Sequence, residues 1–420
     1  MKILSGKVNI DPTMRCQMGC GPHRNLLLET DIIEANYLIL FEDTIFLIVS
    51  FDLLYIGEKL TELLKNRLGH IFQKDNIFLV ASHTHYAPMT DTNKTLFGEA
   101  NINYIEETVE RIVQSITLKL KENYLEVTTN HIQYETNQTC NRRMYRLFGL
   151  KKKKIILNSI LLGPSGKNSK TSIKSKIHGN LMLLKDVDGN VEAVIWHFPC
   201  HPTSLPYTDR FSSHFIGEIR QHFRSIYHHS VPFIFLQGFS GELRPPSHVA
   251  KPKNIYEFLR KIIFGSYFKD FDNDGYFLWV KNIKDELNKA LSAMKSPSVH
   301  KKNKVSLHRF EIPIREFGEM NRQSEGSVTF IKLSLGQIIL IGVTAELVYD
   351  YQLYLSKLTK EEILIGVGCV EDVFGYIPTR KMQKEGGYES RDYFPYFGMK
   401  NLNLDIEIKT KSYLEKIVNL

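Results

Sequence analysis

Runs of β-branched and aromatic residues, broken by short polar turns, set the pattern of the first hundred positions. Tyr37-Leu38-Ile39-Leu40-Phe41 and Thr44-Ile45-Phe46-Leu47-Ile48-Val49 flank Glu42-Asp43 and predict a hairpin. Gly57 to Phe72 carries Leu60, Leu63, Leu64 and Leu68, the spacing of one helical face. The apolar run Ile77-Phe78-Leu79-Val80 then reads as a buried strand. Strand, helix, strand in that order predicts a parallel crossover and an α/β class, with a mixed β-sheet core flanked by helices.

The same reading continues along the chain. Ile105, Val109, Ile112, Val113, Ile116 and Leu120 mark the buried side of a helix from Asn103 to about Asn123, and Val127 to Tyr134 reads as a strand. Asn180 to Leu184 and Val191 to Trp196 form a hairpin around Asp186-Val187-Asp188-Gly189, whose Asp-Gly pair favours a turn with positive φ. A helix from Ser212 to His222, a strand from Pro232 to Leu236 and a last strand-like run from Gly336 to Val343, followed by a helix, complete the pattern. No internal repeat is evident in the sequence. We expect one domain over residues 1–420, with insertions at 148–177 and 247–282. The first, lysine-, serine- and glycine-rich with Lys151 to Lys154 in a row, reads as a solvated segment, a phosphate or anionic-lipid contact being the sharper alternative. The second interleaves lysines with aromatics and reads as a packed helical insertion, with a cover for acyl chains as its alternative.

Several strands end in polar, histidine- or glycine-bearing loops, where α/β scaffolds build their sites. These are Ser82-His83-Thr84-His85, then His197-Phe198-Pro199-Cys200-His201-Pro202, then Gln237 to Pro246. His83 and His85 fall on one face of an extended chain, which makes them a candidate half of a metal site. Cys16 and Cys20 lack a second pair at zinc spacing and read as loop or core thiols. The formal charge of +8 and the pI of about 8.9 come without a nucleic-acid-binding signature. No run approaches the length of a spanning helix, the N-terminus has no apolar leader core, and five scattered cysteines suit reduced thiols, so the expected location is the cytoplasm.

Taken together, these segments resemble the neutral, non-lysosomal ceramidase superfamily of zinc-dependent amide hydrolases. Lys7 to Pro12 looks like its opening strand and turn, Ser82-His83-Thr84-His85 like its Thr-His-Thr-His signature, and Asn141-Arg142 like its Asn-Arg pair. Phe198 to Pro202 is similar to the loop of its second metal histidine, and Thr344-Ala345-Glu346 stands where the family has Pro-Gly-Glu. Gly375-Tyr376-Ile377-Pro378-Thr379 and Gly387-Tyr388-Glu389 match its two tyrosine motifs. The resemblance implies Zn2+ held by His83, His201, Glu346 and Tyr376, with His85, Arg142 and Tyr388 as donors that polarise the substrate. Asp52, directly after a strand, is the expected carboxylate behind a ligating imidazole, a simple strand cap being the alternative.

The chain also departs from the family pattern. Gly241-Glu242-Leu243-Arg244-Pro245-Pro246 stands where ceramidases carry Gly-Asp-Val-Ser-Pro-Asn, so Arg244 replaces an active-site serine. An arginine cannot be acylated or relay a proton near neutrality, but it binds anions. The expectation is therefore a cytoplasmic amidase that acts on an N-acylated small or lipid-like compound other than ceramide, with Arg244 binding a substrate anion. The alternatives are a zinc esterase or carbohydrate deacetylase, and a binding protein without catalysis.

Overall fold

A computed structural model describes residues 1–20, 26–145, 176–247, 255, 270–294, 305–321, 326–360 and 362–420. The tetralysine, nearly all of the first insertion and the aromatic residues of the second before 270 lie outside the described residues.

Three mixed sheets carry the fold, each built by the same strand order. In the first, β1 (Lys2–Asn9) pairs antiparallel with β2 (Glu34–Phe41), β2 antiparallel with β3 (Ile45–Phe51), and β3 parallel with β4 (Ile77–Ala81). In the second, β5 (Thr128–Thr136), β6 (Ile177–Lys185), β7 (Val191–Phe198) and β8 (Phe233–Gln237) repeat that order. The third does so again with β9 (Val305–Pro313), β10 (Ser327–Leu335), β11 (Ile338–Val343) and β12 (Ile363–Val367). A helix bridges each parallel crossover, as a parallel connection requires: α1 (Glu58–Leu68), α2 (Phe215–Ile226) and the six-residue Asp350–Leu355. The predicted hairpins and the first crossover are therefore present, and the expected mixed β-sheet core with flanking helices is built from these three sheets. The helix placed at Asn103 to Asn123 spans Ile102–Lys119, started by the Asn101 side chain, which accepts from Asn103 and Tyr104 N–H groups.

Strand alternation explains how the sheets share one interior. Leu38, Leu40, Phe46, Ile48, Phe78 and Val80 of the first sheet pack in one cluster with Met182, Ile195, Ile234 and Leu236 of the second and Ile331, Leu333, Leu340 and Val367 of the third. Their neighbours in sequence point outward to helices, which is why these strands read as continuous apolar runs. The second insertion runs into the helix Asn273–Ala293, whose first part, within the insertion, buries Tyr276, Trp279 and Val280. At the carboxyl ends of the strands that follow the crossovers, bridges join Val80 to Val370 and Gly238 to Val367, so the loops leaving all three sheets open into one place.

Candidate metal centre

Those loops deliver the side chains singled out by type. His83 follows β4 with φ +66°, a left-handed conformation that costs a non-glycine residue on the order of 1 kcal/mol or more and is typical of functional turns. His201 follows β7. Glu346 and Tyr376 open two short strands that pair in parallel, which makes them register partners. All four are buried.

The contacts among them are close. Glu346 Oε2 lies 3.2 Å from His201 Nε2 and 3.4 Å from His83 Nε2, and the Tyr376 hydroxyl lies 3.2 Å from His201 Nε2. The far ring nitrogens are tied to the backbone: His83 Nδ1 is 3.1 Å from the Leu54 carbonyl and His201 Nδ1 is 2.9 Å from the Leu243 carbonyl. A carbonyl only accepts, so each Nδ1 carries a proton and each Nε2 faces a carboxylate oxygen. Burial alone would lower His83, but Cys369 and Glu346 hold its imidazole well above the ordinary value, so a second proton sits on it when no metal is bound. Such an arrangement is repulsive unless a proton or a cation lies between the atoms, and His83 Nε2 is a buried atom with no hydrogen-bond partner. Two imidazoles, a carboxylate and a phenol in this geometry fit a zinc ion. His85 stands beside them, and the ligating atoms of His83, His85 and His201 lie within 4.8 Å of one another.

Charge follows from burial. Burial pulls the imidazoles of His85 and His201 below their ordinary value, and the neighbouring His83 adds to this. Burial alone would raise the Glu346 carboxyl, but His83 and His201 hold it well below the usual range. Burial, then the Glu346 carboxylate, pushes the Tyr376 phenol well up, so without a cation beside it this oxygen keeps its proton.

Around the cluster sit the expected donors. Arg142 follows the short strand Cys140–Asn141, which pairs with Leu243–Arg244. Its Nη2 donates to the Gly241 carbonyl at 2.7 Å and its Nε to Glu389, and the guanidinium lies 5.1 Å from the Tyr388 ring and 5.9 Å from the Tyr376 ring. Tyr388 and Tyr376 rings are 5.5 Å apart. Arg244 donates from Nη2 to Ser204 Oγ and lines a cavity of about 380 Å³ with Cys20, His85, Ser204, Tyr207 and Asp270.

One expectation is corrected. Asp52 does not take the place behind a histidine: it accepts from Arg220 Nη1 at 2.7 Å and from the Glu34 N–H at 2.9 Å. Backbone carbonyls fill the orienting role instead. Sequence reasoning also left Glu389 without a role, although it stands in a motif quoted for its tyrosine; a lone acidic residue next to Tyr388, with two arginines in a row at 142 and 143, was the available signal.

Fold and site together define an α/β protein with a buried histidine, carboxylate and phenol cluster suited to a metal ion at its strand exits. Residues 35–214 match the family model for neutral/alkaline non-lysosomal ceramidase, N-terminal. That segment contains His83, His85, Arg142 and His201. Two solved structures share the fold: a ceramidase complexed with C2 (13% identity, TM-score 0.72, covering 99% of this chain and 74% of that one) and the neutral ceramidase from Pseudomonas aeruginosa (14% identity, TM-score 0.71, covering 99% and 73%). The family match and the shared fold support placing the chain in the ceramidase superfamily.

Proposed function

We propose that the protein is a zinc-dependent amidase that removes an acyl group from an amine. The family and fold support an amide hydrolase, and the observation that carries the metal is the convergence of two buried imidazole Nε2 atoms on one Glu346 oxygen. His83, His201, Glu346 and Tyr376 would hold zinc. Zinc bound there supplies Lewis acidity, which makes water a nucleophile near neutral pH.

The remaining roles belong to the chain. Water adds to the acyl carbon, the carbonyl oxygen gains charge, the C–N bond breaks, and the amine leaves with a proton while the acid leaves as a carboxylate. His85, held neutral by burial, lines the cavity, and its buried Nε2 has no hydrogen-bond partner among the described residues. Tyr388, whose phenol burial pushes up, keeps its proton and is a second donor. Arg142 supplies fixed positive charge beside the two tyrosine rings. Preorganised donors of this kind act on charge that appears only as the reaction proceeds. Arg244 binds an anionic group of the substrate in the adjoining cavity, whose hydroxyls and Asp270 suit a small polar amine more than a ceramide. We place the reaction in the cytoplasm.

The test uses purified protein, bound-metal analysis and a panel of N-acyl and O-acyl compounds with neutral and anionic amine halves. Zinc near one per chain and turnover of N-acyl compounds are expected, both lost in the His83→Ala, His201→Ala double variant. Stoichiometric zinc in that variant would sink the assignment, and turnover of O-acyl compounds alone would move the activity to an esterase.

A further inference from the structure

The three sheets send equivalent loops into the centre. The chain leaves β7 and reaches His201 at the third residue, and leaves β11 and reaches Glu346 at the third residue. The equivalent loop of the first sheet leaves β3 at Phe51 and runs through Asp52, Leu53, Leu54 and Tyr55. Leu54 already orients His83 through its carbonyl. Tyr55 comes next, buried, and its hydroxyl lies 2.8 Å from Oε1 of Glu346.

We infer that Tyr55 is a positioning residue of the metal centre, donating to Oε1 of Glu346 so that Oε2 alone faces His83 and His201. The inference rests on the metal-centre reading above. A carboxylate has two equivalent oxygens and a free torsion, so a monodentate ligand needs something to hold the other oxygen. Tyr55 suits that task because it is fixed on every side. Its ring packs against His83 at 5.2 Å and Phe97 at 5.9 Å, and its carbonyl accepts from Thr90 Oγ1 at 2.6 Å. The Lys94 ammonium lies 5.5 Å from the ring centre and is itself held by Asp91 and Asp372. A carboxylate oxygen only accepts, so at 2.8 Å the Tyr55 hydroxyl is the donor.

Competition with a chelator of known zinc affinity tests the role in four proteins: wild type, Tyr55→Phe, Glu346→Gln and the double variant. Phenylalanine keeps the ring contacts, so the metal-free Tyr55→Phe protein should melt close to wild type. It should bind zinc about 10- to 100-fold more weakly, the usual effect of losing a partner behind a ligand. The cobalt-substituted form should show a changed visible absorption. Because Tyr55 acts through Glu346, the double variant should bind no more weakly than Glu346→Gln alone. Thr90→Val, which frees the Tyr55 backbone without touching the carboxylate, should weaken zinc severalfold and decides the matter if Tyr55→Phe does not fold. Zinc affinity within twofold of wild type in both variants, or full additivity in the double variant, overturns the positioning role. A wild-type protein that takes up no zinc sinks the metal centre itself, and this inference with it.

Discussion

Arg142 and Arg143 enter the centre side by side, and the carboxylate of Glu389 answers both, from Oε1 to Arg142 Nε and from Oε2 to Arg143 Nη1 at 2.6 Å. Burial would raise this carboxyl, but the two guanidinium groups hold it at about 2. A charge 1% exposed at its side chain is tolerated only while paired. Glu389→Gln keeps the shape and deletes the charge. It should cost on the order of 3 kcal/mol in urea unfolding and lower turnover, since Arg142 would lose its tether; an unchanged unfolding midpoint would refute the pairing. From the residues alone only the pair His83 and His85 suggested a metal, and it was the resemblance to the ceramidase motifs that pointed to His83, His201, Glu346 and Tyr376. Glu389, Tyr55 and the carbonyls of Leu54 and Leu243 stayed hidden, since the part each plays is set by a partner far along the chain. Asp52 misled for the same reason: its true partner, Arg220, lies 168 positions away.

At the scale of elements, the hairpins and the first crossover were legible from alternation and leucine spacing, because those patterns are local. The threefold strand order was not, for the sheets share connectivity and hardly any residues; the crossover helix of the third is only six residues long. What the shared order accomplishes is convergence, and Gly238 shows how tightly the exits meet. A Cβ there would stand 2.6 Å from His197 Nε2 and 2.7 and 2.9 Å from the Cβ and Cα of Pro199. Pro199 begins the loop that carries His201, and backbone atoms cannot step aside cheaply. Gly238→Ala should therefore cost about 1–3 kcal/mol of stability and also weaken zinc binding, read by thermal melting and by the same chelator competition. A variant that loses stability while binding zinc as wild type does would show that the exit loops move independently of the centre.

Across the whole molecule, buried charges give the folded state a particular response to pH. Glu34, which burial would raise, is held at about 2 by Arg224 and Arg220, and Glu389 behaves likewise. Between pH 2 and 4.5 the unfolded chain takes up protons that these two refuse, so stability rises with pH. Burial lowers His197 to about 4 and His214 to about 3, which carries the rise on to the ordinary histidine value of 6.5. Glu242 works the other way. Burial, then the charge of Asp350, raises its carboxyl to about 8, where it accepts from the Tyr349 N–H and from Asn141 Nδ2. Its contribution is complete below 4.5 and is lost as pH climbs through 8. From 4.5 to 6.5 two histidines outweigh one glutamate; above 6.5 Glu242 acts alone among these groups. Stability should therefore peak near pH 6.5 and fall toward pH 8, Glu242 contributing roughly 1.4 kcal/mol per unit, on the order of 2 kcal/mol in all. Glu242→Gln keeps an acceptor for both donors and has no proton to lose, so its urea midpoint, measured with chelator present, should fall less steeply over that interval than that of wild type. The rest of the decline belongs to His83, which burial would lower but Cys369 and Glu346 hold well above 6.5. The same decline in both proteins would mean that another group carries it.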